Sequence, residues 1–233
     1  MNENSKVTRK SARKAGAADP GQAGVLHNGS GTVNDTGRST ALIDYTRNML
    51  LLFLGPTAAG KSTLIRKLAS LDPRFQYVVP FTTRELRVGE TDKVRVSAAE
   101  LDVMEKAGQL LARNRIYGHE YGTPKGPIEQ SLRSGCFPCL DWPVQNLDTI
   151  AAVFPGRMYR IYIAPPSLAI LHRRLKADGR DPSGTRFVQA RAELHELWSG
   201  NYNGLIDFIV VSDEAKIPRV AQAIRAKVLS ETL

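Results

Sequence analysis

Hydrophobic periodicity changes along the chain near residue 47. Over 1–46 Ser, Gly, Ala, Asn and Thr dominate, and apolar positions recur with neither the period of a strand nor that of a helix. Such a stretch cannot bury enough apolar surface to offset the entropy of ordering, so a disordered basic tail is expected there. The remainder, 47–233, reads as one folded domain. Residues 49–54 form a continuous apolar run ending at Gly55, the pattern of a strand buried on both faces. Three more strands are expected at 137–140, 159–164 and 208–211, and helical spacing recurs at 61–69, 98–106, 128–132, 167–176, 187–197 and 218–229. Strands alternating with helices predict an α/β protein with a central, mostly parallel sheet between helical layers and right-handed crossovers. The segment 80–127 breaks that rhythm and is expected to form a small inserted substrate region.

Composition narrows the field without settling it. With 233 residues, 42% hydrophobic and 24% charged, the chain fits one globular α/β domain plus an extension. Its 32 Lys and Arg outweigh 23 Asp and Glu, a net charge of +9 that suits nucleic acid, an anionic membrane or phosphorylated small molecules. The basic residues are spread along the chain rather than gathered in a stripe, so charge alone favours none of the three. No apolar run approaches the roughly 18 residues of a membrane span, and no apolar h-region follows Met1 as a secretory signal would require. A cytoplasmic protein is expected, with an organelle transit peptide or a secretion signal in the tail left open. Cys136 and Cys139 stand in CxxC spacing, but no second Cys/His pair completes a zinc site. Two small apolar residues in a buried strand is the reading held, against a redox pair.

The strongest chemical signal is Gly55-Pro56-Thr57-Ala58-Ala59-Gly60-Lys61-Ser62-Thr63, a full GxxxxGKS/T phosphate loop with a strand before it and a helix after it. Glycines let backbone N–H groups approach a phosphate, and the helix N-terminus behind the loop favours anions. Lys61 is placed to reach the β- and γ-phosphates of ATP, and the Ser62 hydroxyl to ligate Mg²⁺. Thr57, Ala58, Ala59 and Thr63 complete the expected ATP cradle. A P-loop three-layer fold follows.

Beyond the loop, Thr82-Thr83-Arg84-Glu85-Leu86-Arg87-Val88-Gly89-Glu90, Tyr121-Gly122-Thr123-Pro124-Lys125, Leu140-Asp141-Trp142-Pro143-Val144-Gln145 and Ile163-Ala164-Pro165-Pro166-Ser167-Leu168 follow in order. In their order and separations the five stretches resemble the guanylate kinase family over about residues 48–230. Taken alone, Arg84 and Arg87 could clamp one phosphate with two guanidinium forks or be solvated loop residues. Tyr121 could be a half-buried core aromatic and Asp141 a helix cap. The resemblance implies that Arg84, Arg87 and Tyr121 hold the acceptor's phosphate, with Thr123 in the same motif. It places Asp141 beside the phosphates and the hydrated metal. It also implies a lid over about 177–190, with Arg174, Arg180 and Arg191 bringing positive charge to the moving phosphoryl group, although a solvated helix face would carry such arginines too.

The resemblance fails at the acceptor's far end. Where the family reads guanine with Ser, Glu and Asp, this chain has Pro80, Ala112 and Pro143, and the stretch from Glu90 to Ser97 is shorter and lacks the family's Tyr. Lys93, Arg95, Arg113 and Arg115 in the same neighbourhood could be a solvated face or hold a second acidic group. The leading expectation is ATP-dependent phosphorylation of GMP to GDP by a kinase with an altered base pocket. The alternatives are a sugar-phosphate kinase acting on a compound such as ribose 1,5-bisphosphate, a kinase for another nucleotide, and a non-catalytic binding module. In all three kinase readings the partner is a small molecule bearing a phosphate, and neither nucleic acid nor a membrane is expected.

Overall fold

The computed structural model describes residues 48–179 and 181–232, so the tail expected over 1–46 lies outside the described residues, as does Arg180. The main sheet takes β1 (Leu50–Leu54), β2 (Phe75–Tyr77), β7 (Phe137–Asp141), β8 (Met158–Ala164) and β9 (Phe208–Val211) in the order β2-β7-β1-β8-β9, every neighbouring pair parallel. All five residues of β1 are fully buried because the strand is central and covered on both faces. Its alternation divides the core. Leu50, Leu52 and Leu54 pack with α3 (Lys125–Arg133), α5 (Leu168–Ala177) and α6 (Thr185–Trp198), while Leu51 and Phe53 pack with α1 (Lys61–Leu71) and α7 (Ile217–Glu231). This is the three-layer arrangement that the strand and helix rhythm predicts. Asp72, almost fully buried at the end of α1, receives Nε and Nη2 of Arg74 at 3.0 and 2.7 Å and Nε of Arg225 at 2.8 Å, which ties α1 to α7.

The segment that broke the rhythm folds into its own sheet. β3 (Phe81–Thr82), β4 (Val94–Arg95), β5 (Leu110–Ile116) and β6 (His119–Pro124) lie in the order β4-β3-β6-β5, mixed parallel and antiparallel. Tyr117 and Gly118, at φ 50° and 80°, make the two-residue turn between β5 and β6, which demands left-handed backbone at both positions. α2 (Ala98–Lys106) backs this sheet, its first turn closed by a reciprocal capping box between Ser97 and Glu100. The remaining helix, α4 (Leu147–Ala151), follows β7. Cys139 is buried in β7 and its thiol is pushed up by that burial, as a packing role requires, but Cys136 is only half-buried and stands before the strand begins at Phe137, so the buried-strand reading holds for Cys139 alone; both cysteines are free. No helix among the described residues is long and apolar enough to cross a membrane.

Candidate active site

A cavity of about 1580 Å³ opens at the carboxyl ends of β1 and β7, bounded by the phosphate loop, the second sheet and the face of α6. Sites for one ligand commonly span roughly 300–1,000 Å³, so this one has room for two.

The loop's path depends on two glycines. A Cβ at Gly55 (φ 121°) would come 2.4 Å from the Ile163 carbonyl oxygen of β8, and one at Gly60 (φ 100°) 2.5 Å from Ser212 Oγ. No side chain caps the start of α1, which leaves its first N–H groups open to an anion. Lys61 Nζ donates to the Gly55 and Pro56 carbonyls at 2.6 and 2.9 Å and stands 3.6 Å from Asp141. Asp141 ends β7 directly beside Phe53 of β1, so the parallel register delivers its carboxylate to the loop. Ser62 Oγ lies 3.5 Å from Asp141 Oδ2, and the Tyr77 hydroxyl 3.5 Å from Ser62 Oγ. Burial first, then the Asp141 charge, push the Tyr77 phenol up, so it stays protonated and able to donate.

At the other end of the cavity Arg84 is nearly buried, giving Nη1 to the Glu85 carbonyl and Nη2 to Glu90 Oε1, both at 2.6 Å. Arg87 stands 3.7 Å from Glu90 and 4.0 Å from Asp178. Burial alone would raise the Glu90 carboxyl, but the Arg84 hydrogen bond, the Arg87 backbone N–H and both positive charges bring it down to about 2. Burial also works against the Arg84 charge, and the Glu90 bond with the neighbouring Tyr121 hydroxyl outweighs it. One ionised Glu therefore holds both guanidinium groups at the cavity wall. Tyr121 and Thr123, alternate residues of β6, line the same wall.

Arg174 on α5 lines the cavity too, but its donors go to protein: Glu214 at 2.8 Å, the carbonyls of Ala58 and Ala59 at 3.4 and 3.3 Å, and Ser212 O at 2.9 Å. In this arrangement it fastens the phosphate loop to the end of β9. Arg191 is not brought to the site. It is exposed and does not line the cavity, because α6 turns about 100° per residue and presents Gln189, Glu193 and Glu196 on the side opposite Arg191. The arginine that α6 does place in the cavity is Arg186, whose guanidinium lies 4.2 Å from the centre of the Tyr117 ring. Its N–H and that of Phe187 are capped by Asp181 at 2.9 Å each. Sequence reasoning missed Arg186, Tyr77, Asn114 and Asn146. Arg186 was open to discovery as the helix residue five before Arg191, whereas the other three sit near the loop and the arginine grip only through the fold.

A nucleotide-sized cleft over a phosphate loop on a parallel three-layer sheet defines a P-loop kinase. Residues 47–226 match the family model described as guanylate kinase. The chain is 35% identical over 153 residues to the guanylate kinase of Granulibacter bethesdensis, covering 64% of this chain and 72% of that protein. It is 32% identical over 176 residues to that of Novosphingobium aromaticivorans, covering 73% and 77%. The crystal structure of guanylate kinase from Anaplasma phagocytophilum has the same fold, with a TM-score of 0.63 at 22% identity over 80% of this chain and 87% of that one. The chain belongs to the guanylate kinase family.

Proposed function

We propose that the protein transfers the γ-phosphoryl group of ATP to the phosphate of GMP, yielding ADP and GDP. The observation that carries this reading is that the loop at 55–63 and the Arg84–Arg87 pair line one cavity with room for two nucleotides. An acceptor phosphate oxygen attacks the γ-phosphorus, and the bond from that phosphorus to the β,γ-bridging oxygen breaks, leaving the electron pair on ADP. Such a transfer asks the protein for position and positive charge. Lys61 exchanges neutral carbonyl acceptors for anionic phosphate oxygens. Arg84 and Arg87 hold the acceptor phosphate, with Tyr121 and Thr123 beside them, and Arg186 adds charge from α6. In this reading 80–127 is the acceptor-binding insert and about 177–190 closes as a lid, while the tail at 1–46 takes no part in the chemistry. Arg174 acts through the loop it fastens.

The donor set suits Mg²⁺. Ser62 and Asp141 are hard oxygen ligands 3.5 Å apart, and such an ion commonly takes one or two protein oxygens together with substrate phosphates. Ser62 and Asp141 would hold it, and it would supply charge neutralisation between the β- and γ-phosphates.

A second phosphate on the acceptor, as in a sugar bisphosphate, would need unspent cations at the far wall. Arg113 is shared by Asp102, Glu105 and Glu120 and Arg95 pairs with Glu85, but Lys93, 3.7 Å from Asp92, and the exposed Arg115 both line the cavity, which favours the sugar bisphosphate as the second reading. The test is acceptor-dependent ADP release with GMP, dGMP, AMP, UMP and ribose 1,5-bisphosphate in turn. GDP formed in equal amount with ADP is expected. Turnover of ribose 1,5-bisphosphate with none of GMP would contradict the reading.

A further inference from the structure

Two asparagines face one another across the acceptor end of the cavity. Asn114 of β5 stands directly opposite Tyr121 of β6, so their side chains share a face of the second sheet and the amide lies beside the phosphate grip. Asn146 comes from the main sheet's side, in the turn after β7. Its backbone is pinned there, the N–H on the Pro143 carbonyl at 3.1 Å and the carbonyl accepting the buried Trp142 indole N–H at 2.9 Å. The Asn146 amide Nδ2 donates to Asn114 Oδ1 at 2.5 Å. Each amide is half-buried and each lines the cavity. Among the described residues neither Asn114 Nδ2 nor Asn146 Oδ1 has a further partner.

An amide carries two donor hydrogens and a carbonyl acceptor, so the bonded pair keeps a donor at Asn114 Nδ2 and an acceptor at Asn146 Oδ1, side by side and facing the cavity. Leaving such groups half-dry and unpaired costs stability, which a ligand that satisfies both would recover. The ligand chemistry that matches is a planar heterocycle offering an acceptor and a donor on adjacent atoms, which is the edge of a purine. Guanine presents O6 to the donor and N1–H to the acceptor. Adenine presents the reverse order, N6–H₂ as donor and N1 as acceptor, and satisfies the same two amides once both rotate by 180°, which keeps their mutual hydrogen bond and exchanges the free donor and acceptor. Pro80 and Pro143, also in the lining, add no side-chain donor or acceptor.

We propose that the Asn114–Asn146 amide pair is the acceptor-base reader of this kinase, and that its neutrality makes the reading of guanine permissive. The inference rests on the nucleotide-acceptor reading above. A carboxylate only accepts, and so refuses an edge that has no donor beside the right atom. An amide pair refuses neither purine. GMP and AMP should therefore differ by less than about 10²-fold in kcat/KM, where a fully polar reading site rejects analogues by roughly 10⁴–10⁵.

The test uses the full chain with ATP held constant and GMP, IMP and AMP as acceptors. Asn114→Ala and Asn146→Ala should each raise the KM for GMP by about 10–100-fold while the KM for ATP stays within about 3-fold. Asn114→Asp keeps the side-chain size and an acceptor for Asn146 Nδ2 but removes the donor to O6. Guanine moved by one atom then gives N1–H to the second Asp oxygen and N2–H₂ to Asn146 Oδ1, two donors that the adenine edge lacks. The substitution should raise the ratio of kcat/KM for GMP over AMP at least about tenfold. Loss of fold in an alanine variant, seen as a collapsed melting transition, leaves the near-isosteric Asn114→Asp to decide. If the parent phosphorylates GMP but the ratio is unmoved by Asn114→Asp, the pair is a packing contact and the proposal falls while the kinase reading stands. If the parent phosphorylates no nucleotide, both fall.

Discussion

In the function proposed here the donor end of the cavity is one unbroken stretch, 55–63, whereas the acceptor end is assembled from Arg84, Tyr121, Asn114 and Asn146, which the second sheet and the turn after β7 bring together. The first works through backbone. Its glycines adopt φ of 121° and 100°, its N–H groups need no side chain, and β1 behind it is wholly buried. The second works through side chains on a small sheet whose edge strand β4 is exposed, and its charges are held in place by Glu90. A phosphate needs only positive potential and N–H groups, so its site tolerates little variation. A base is read atom by atom, so a few substitutions in the wall can change what is accepted. The acceptor end is where this chain departs from the family's pattern.

The sharpest way to break this contrast is Lys61→Ala, which should lower the transfer rate by roughly 10²-fold or more with any acceptor, measured as ADP release at saturating ATP. Arg84→Ala should act on one end only. It should raise the GMP KM at least about tenfold and leave the ATP KM within about threefold, because a charge-assisted contact to one phosphate is lost. Comparable effects on both substrates would mean the two ends are not separate.

Much of the donor end was legible because each of its signals is local. The apolar run 49–54, the phosphate loop and the helical spacing after it are contiguous, and β1 and α1 form at Leu50–Leu54 and Lys61–Leu71 as the pattern predicts. Helix 98–106 and strand 208–211 also form with the expected bounds. The second sheet was hidden because its strands are charged. Arg113 sits inside β5 with three carboxylates around it, which strand alternation alone does not announce. β2 is only three residues long, below the length at which a period shows. The loss of polar groups at Pro80, Ala112 and Pro143 could be read by position. What stands in their stead could not, since Asn114 and Asn146 lie 32 residues apart and meet only through the packing of one sheet against the other's loop.

Glu90 offers a gentler test of how the acceptor end is held. Its carboxyl is brought down to about 2 in the folded protein. A depressed carboxyl pKa contributes stability that is fully present above the unfolded value, near 4.5, and is lost as pH falls through the folded one. Glu90→Gln should therefore cost roughly 1–3 kcal/mol in urea unfolding at pH 7, and the difference from the parent should shrink between about pH 4.5 and 2. A pH-independent difference would locate the effect in packing. The smallest effects belong to α6. Arg186→Ala should lower kcat several-fold, and Arg191→Ala should leave it within about twofold, because a residue on the helix's solvent side adds little charge to the cavity. The reverse order would mean that α6 turns its other face inward during turnover.

The claim that one cavity holds donor and acceptor end to end is tested most directly by calorimetric titration with a bisubstrate analogue, adenosine and guanosine joined through five phosphates. One molecule should bind per chain, at least about 10²-fold tighter than ATP or GMP alone, since the second contact becomes intramolecular, and Arg84→Ala should remove most of that gain. Binding no tighter than ATP, or a gain that survives Arg84→Ala, would contradict the account.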